Sequence, residues 1–125
     1  MKTMLPENIN ENSFQVKAAL IDDMVILTFH GKCNERQPAI FLKPYFEKMI
    51  GVAFGNKYKI EMDFTNLEYM NSSTITPIVQ FLDNIKQKNI SLVLKYNKNK
   101  FWQESNFSAM KFFESENPPF KILPV

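Results

Sequence analysis

The sequence predicts an α/β fold: a mixed sheet with helices, in the order β-β-α-β-α-β-α. Three observations carry this. Residues 13–20, 24–29, 57–64 and 90–96 are short runs rich in β-formers, several of them alternating apolar with polar. Ile75, Ile78, Val79, Leu82 and Ile85 recur at helical spacing between two of those runs. A strand–helix–strand unit implies a parallel pair, with a right-handed crossover.

In chain order, residues 1–12 read as a polar lead-in without a signal-peptide core. Residues 13–125 read as one domain, because domains commonly run about 100–150 residues. Phe14, Val16, Ala18 and Leu20 share one face of the first strand. Asp22 and Asp23 make a turn, and the apolar run 24–29 returns as the second arm of a hairpin. His30 to Asn34 reads as a loop, with Gly31 supplying an unusual backbone angle.

Residues 35–53 read as a helix that carries two prolines. Pro38 suits a first-turn position. Pro44 predicts a bend, or a helix whose regular part starts near Leu42, since an interior proline costs roughly 3 kcal/mol. Phe41, Tyr45, Phe46, Met49 and Ile50 face the sheet, and Gly51 or Gly55 ends the helix.

The strand 57–64 places Tyr58, Ile60, Met62 and Phe64 on one face. Thr65 and Asn66 break it, and Leu67, Tyr69 and Met70 form a short apolar connection. The polar run Asn71, Ser72, Ser73, Thr74 then opens the central helix. Hydroxyls there sit where backbone N–H groups point outward and the helix dipole favours negative charge. Residues 101–113 read as a third helix with Phe101, Trp102, Ser105, Ala109, Phe112 and Phe113 on its apolar side. Residues 120–123 read as a short edge strand after Pro118 and Pro119.

Composition narrows the function classes. The chain has 125 residues, 45% hydrophobic and 14% aromatic, which describes a globular protein with a core. A formal charge of +2 does not by itself imply nucleic acid or an anionic membrane. Cys33 is the single cysteine, so neither an internal disulfide nor a cysteine-rich zinc site is expected, and a cytoplasmic setting is natural. No apolar run suits a membrane span, and no cofactor or metal is expected.

The stretch from Asp63 to Thr74 resembles the phospho-acceptor region of anti-sigma-factor antagonists, the small bacterial STAS domains. That pattern runs Asp, apolar, Ser/Thr, any residue, apolar, any residue, aromatic, apolar, Asp, Ser, Ser, Gly. Asp63, Phe64, Thr65, Leu67, Tyr69, Met70, Ser72 and Ser73 fit at the same spacing. Asn71 stands where the family has Asp, and Thr74 where it has Gly. A sister group of biofilm-regulating phosphoproteins is similar and has Asn followed by Thr-Ser-Ser. The run from Phe41 to Met49 and the residues Lys95, Tyr96 and Asn97 also resemble that group. The resemblance covers roughly residues 25–113.

The resemblance implies a STAS-like sheet with helices packed mainly on one face. It implies a non-enzymatic, partner-switching phosphoprotein in which Ser72 is the phospho-acceptor, with Ser73 and Thr74 as alternates. His30, Asn34, Asp63, Asn71, Ser72, Ser73 and Thr74 are the expected partner face. The implied partners are a serine protein kinase or anti-sigma factor and a metal-dependent serine phosphatase; the sister group adds a diguanylate cyclase.

Each candidate has a plainer reading. Ser72, Ser73 and Thr74 are also good helix caps. Pro77 has no N–H for the Ser73 carbonyl, so regular α-bonding is expected to start no earlier than Thr74, with Ser73 or Thr74 as cap and Ser72 free. A STAS-like module that binds without being phosphorylated is the first alternative. A small enzyme using Cys33 and His30 is the second, although such a pair needs a third orienting group. Asp63 with Glu61 or Glu68 makes an acid–base pair on paper, against a turn-capping or solvated role. The stretch from Lys95 to Trp102 has the composition of a single-strand nucleic-acid platform, but the start of a helix and a solvated lysine loop account for it, and no nucleic-acid partner is expected.

Overall fold

The structure, a computed structural model, describes residues 5–125. Seven strands form one mixed sheet: β1 (Ile9–Glu11), β2 (Phe14–Ile21), β3 (Met24–Cys33), β4 (Lys59–Asp63), β5 (Leu67–Met70), β6 (Leu92–Tyr96) and β7 (Phe120–Pro124). The helices are α1 (Ala39–Asn56), α2 (Ser72–Gln87) and α3 (Phe101–Ser108), the last continued by a 3₁₀ turn at Ala109–Phe113.

The sheet order is β1-β2-β3-β4-β6-β7, with β5 also pairing with β3. β1, β2 and β3 pair antiparallel, and every other pairing is parallel. β4 lies beside Met24 to Thr28, and β5 lies beside Gly31 to Cys33. The two short strands thus follow each other along one edge of β3.

Register sets the faces. Val25, Ile60, Leu92 and Phe120 lie in one cross-strand row, and Leu27, Met62, Leu94 and Ile122 in the next; all eight are buried. Phe64 stacks on Phe29 at 4.1 Å and contacts the Phe107 ring at 4.6 Å, so α3 covers this face. Phe113 meets Phe120, and Phe46 of α1 stacks on Phe81 of α2 at 4.2 Å. The helices therefore pack on a single face. The other face carries Thr28, Glu61, Asp63, Val93 and Lys95, all half-buried.

The predicted α2 stripe is core: Leu82 and Ile85 are fully buried and Ile78 nearly so, while Ile75 and Val79 are half-buried. Several expectations are corrected. The chain before residue 13 contributes the strand β1, which pairs Ile9 with Val16. Residues 30–33 are not a loop, because β3 continues through Cys33 to pair with β5. Gly31 does adopt φ +83, and a side chain there would collide with the Ser13 carbonyl. Residues 67–70 are not a connection but β5.

Pro38 sits just before α1 rather than inside it. Neither Gly51 nor Gly55 ends that helix; Lys57 does, in a left-handed conformation. On the third helix the predicted Phe113 is buried and Trp102 packs on the core, but Gln103, Phe107 and Met110 complete the inward face while Phe101 and Phe112 are 86% and 73% exposed. Gln103, Phe107 and Met110 follow helical spacing, and ring size misidentified the stripe. Among the described residues, no helix is long and apolar enough to cross a membrane.

Candidate functional site

The parallel strands all end on one side of the molecule, so the chain after β3, β4, β5 and β6 gathers there. The junction of β5 with α2 lies against the junction of β3 with α1. Asn71 joins them: its backbone N–H donates to the Cys33 carbonyl at 3.0 Å, and its Nδ2 donates to the Glu35 carbonyl at 2.8 Å.

Asn71 is also the cap of α2. Its Oδ1 accepts from the Thr74 N–H at 3.2 Å and from the Thr74 hydroxyl at 2.7 Å. Thr74 is fully buried, and its Oγ1 is 3.2 Å from the Cys33 sulfur. A hydroxyl has one proton, and the shorter contact takes it. The Cys33 thiol therefore donates to Oγ1, and a chain runs from Cys33 through Thr74 and Asn71 to the Glu35 carbonyl.

This arrangement accounts for both departures from the family pattern. An Asp at position 71 would cap α2 as well as Asn does. It would have no N–H for the Glu35 carbonyl, and would set a carboxylate oxygen against it. A Gly at position 74 would remove the hydroxyl that links Asn71 to Cys33. The two unusual residues are partners of each other.

The cap assignment read from Pro77 is corrected. α2 begins at Ser72, with Pro77 inside it, and the cap is Asn71 rather than Ser73 or Thr74. Pro77 removes a single donor; it does not prevent helical geometry upstream once a side chain caps the first turn. Ser72 and Ser73 are both exposed in that turn, and neither hydroxyl has a hydrogen-bond partner among the described residues. Asn34 is exposed directly before this junction.

The remaining candidates sit elsewhere. Asp63 accepts from the Thr65 N–H at 2.9 Å and its hydroxyl at 2.6 Å, closing the turn after β4. It pairs with no carboxylate, and Glu61 instead meets Lys95 at 3.2 Å. His30, opposite Gln15, follows Thr28 by alternation onto the sheet face without helices, near the same end as Ser72. Cys33 is fully buried and engaged with Thr74, so it does not form the accessible nucleophile that the enzyme reading required. Among the described residues, no group of three or more His, Cys, Asp or Glu is placed to hold a metal.

Gln103 was missed from sequence. It is fully buried, its Nε2 donates to the carbonyls of Phe64 at 2.7 Å and Leu67 at 2.9 Å, and its Oε1 accepts from the Asn97 N–H at 2.7 Å. Lys100 Nζ donates to the same Leu67 carbonyl at 3.0 Å. The lysine-aromatic stretch thus holds the β4–β5 turn. Its signal was a glutamine four residues before a core phenylalanine.

No protein-family model matches the chain, and no curated protein sequence matches it. Solved structures do. The SiaC chain in the complex of the diguanylate cyclase SiaD with its activator SiaC, from Pseudomonas aeruginosa, is similar with a TM-score of 0.69 at 14% identity, over 96% of this chain and 100% of that one. An anti-sigma factor antagonist from Mycobacterium paratuberculosis gives 0.60 at 10% identity, over 90% and 87%.

The chain has a STAS-like fold. The anti-sigma factor antagonist SpoIIAA in its unphosphorylated form adds a TM-score of 0.54 at 15% identity, over 90% of this chain and 89% of that one. In this STAS-like domain the strand order is richer than the sequence reading, with β1 and β5 added to the predicted series and the expected short edge strand present as β7.

Proposed function

We propose that this chain is a non-enzymatic, partner-switching regulator controlled by phosphorylation of Ser72. The observation that carries the reading is the division of labour at the start of α2. Asn71 and Thr74 are consumed by the cap, while Ser72 presents an exposed, unpartnered hydroxyl one residue after it. The likeness in fold to anti-sigma factor antagonists and to a cyclase activator supports a protein partner.

In the proposed step a serine kinase transfers the γ-phosphoryl group of ATP to Ser72 Oγ. ADP leaves and the hydroxyl proton passes to the kinase base. The modification adds about −1.5 to −2 charge. At a helix N-terminus that charge is tolerated by the dipole, so the fold persists and the docking surface changes instead. The partner face comprises Asn34, Asn71, Ser72 and Ser73, with His30 and Asp63 at its margin and Thr74 beneath it. The partner is a kinase or anti-sigma factor, or a diguanylate cyclase, and a metal-dependent serine phosphatase resets the switch in the cytoplasm.

The test is partner affinity against modification state, measured by calorimetry with candidate kinases and cyclases. The unmodified protein is expected to bind, the Ser72 phosphoprotein to lose that binding, and Ser72→Asp to lose it only in part. Equal affinity of the unmodified and phosphorylated forms contradicts the switch and favours the module that binds without phosphorylation.

A further inference from the structure

The chain contains a single arginine, Arg36. It is exposed, and it makes no ion pair or hydrogen bond among the described residues. It follows Glu35, the residue whose carbonyl is held by Asn71 at 2.8 Å, and Asn71 directly precedes Ser72. One side-chain hydrogen bond thus ties the loop that carries the arginine to the residue directly before Ser72.

We propose that Arg36 is the internal ligand of phosphoserine 72, a role that rests on Ser72 being the modified residue. A guanidinium presents a planar fork that matches two phosphate oxygens, and such charge-assisted bonds are about twice as strong as neutral ones. The Asn71 side chain ties the loop that carries Arg36 to the start of α2, and places both residues at the same end of the domain.

Of the neighbouring charges, Glu11 is the competitor that phosphate, with its greater charge, must displace. Glu11 and Glu35 line the same groove as Arg36, Gln37, Ile40 and Phe41. The Glu35 carboxylate accepts from Asn12 Nδ2, which directs it toward the turn between β1 and β2. Lys32, paired in register with Tyr69, is exposed and points away from the buried Cys33 and Met70 row, so it is on the other face of β3.

The consequence is a switch with two charge changes. In the unmodified protein Arg36 is a free cation on the partner face, able to take a carboxylate of the docking protein. In the phosphorylated protein that cation is engaged, and a dianion stands beside it. Loss of binding then comes from removal of an attractive contact as well as from repulsion.

The experiment uses full-length protein carrying phosphoserine installed at position 72 during synthesis, so that no kinase is needed. Its single arginine gives one Nε–Hε resonance. That resonance is expected to move downfield and to exchange more slowly in the phosphoserine 72 protein, but not in a phosphoserine 73 protein. Added alkaline phosphatase should remove the phosphate about tenfold faster from Arg36→Ala than from the parent, with Arg36→Lys between them.

An unchanged arginine resonance, or equal dephosphorylation of parent and Arg36→Ala, overturns the assignment while leaving phosphorylation of Ser72 intact. Failure of every kinase to modify Ser72 counts against the switch and leaves this readout unaffected.

Discussion

Two helix starts face the same end of the sheet and treat their polar groups in opposite ways. At α3, Lys100 and Gln103 turn inward and saturate the carbonyls of Phe64 and Leu67 and the N–H of Asn97. At α2, Asn71 and Thr74 turn inward, and Ser72 and Ser73 are left facing solvent without partners among the described residues. The first is a joint and the second is a joint with two free hydroxyls. Burial and hydrogen-bond saturation distinguish a closed joint from one with free hydroxyls here, although both segments look polar in sequence.

The α3 joint should be the more costly one to break. Gln103→Leu removes partners from two carbonyls and one N–H around a fully buried side chain. The Phe64 carbonyl keeps the Leu67 N–H at 3.0 Å and the Leu67 carbonyl keeps Lys100 Nζ, so one orphaned N–H at about 1–3 kcal/mol and two lost bonds at about 0.5–1.5 kcal/mol each give an expected loss of roughly 2–4 kcal/mol in urea denaturation. A loss below about 1 kcal/mol would show that water replaces these bonds.

Tyr45 of α1 offers a contrast outside both joints. Burial pushes its phenol up to about 12, and its hydroxyl has no hydrogen-bond partner among the described residues. The folded state therefore favours the protonated phenol. Its contribution is fully present below pH 10, the ordinary tyrosine value, and declines as pH rises from 10 through 12. A two-unit shift corresponds to roughly 2–3 kcal/mol lost by the top of that window. Tyr45→Phe should flatten that part of the pH–stability profile.

The α2 joint should respond to a single atom. Asn71→Asp keeps the cap acceptor but loses the donor to Glu35. A destabilisation of about 1–2 kcal/mol is expected, whereas a pure capping role would leave stability nearly unchanged. Thr74→Gly should destabilise as well, and the double variant should cost less than the sum of the two, because the residues share one network.

At the far end of the scale, Ser72→Ala and Ser73→Ala should each stay within about 0.5 kcal/mol of the parent. A larger effect at Ser73 would revive it as part of the cap.

Much of the fold was legible in the sequence for one reason: a helix or strand that buries one face displays its period. Ile60, Met62 and Phe64 announced β4, and Ile78, Leu82 and Ile85 announced α2. β5 was hidden because its four residues bury only the first and last, which alternates with nothing. β1 has three residues and is defined only by its pairing with β2. Lys57 ends α1 in a left-handed conformation that glycines normally adopt, so Gly51 and Gly55 misled.

The setting of the candidate site was legible in outline. Its position at the start of α2 followed from the order of strand, turn and helix. The cap did not, because Pro77 displays its missing donor in the sequence, whereas the acceptor that Asn71 offers to Thr74 shows only in the fold. The contacts of Glu35 and Gln103 join residues 36 and 39 positions apart, and no local pattern encodes such a pairing.

The central claim is that the free hydroxyl at the α2 joint is the switch. Peptide mapping by mass spectrometry after treatment with an active serine kinase that binds the protein tests it most directly. The account predicts a single phosphate on Ser72, abolished by Ser72→Ala and retained in Ser73→Ala. A phosphate on Ser73 or Thr74, or none on the three residues, would contradict it.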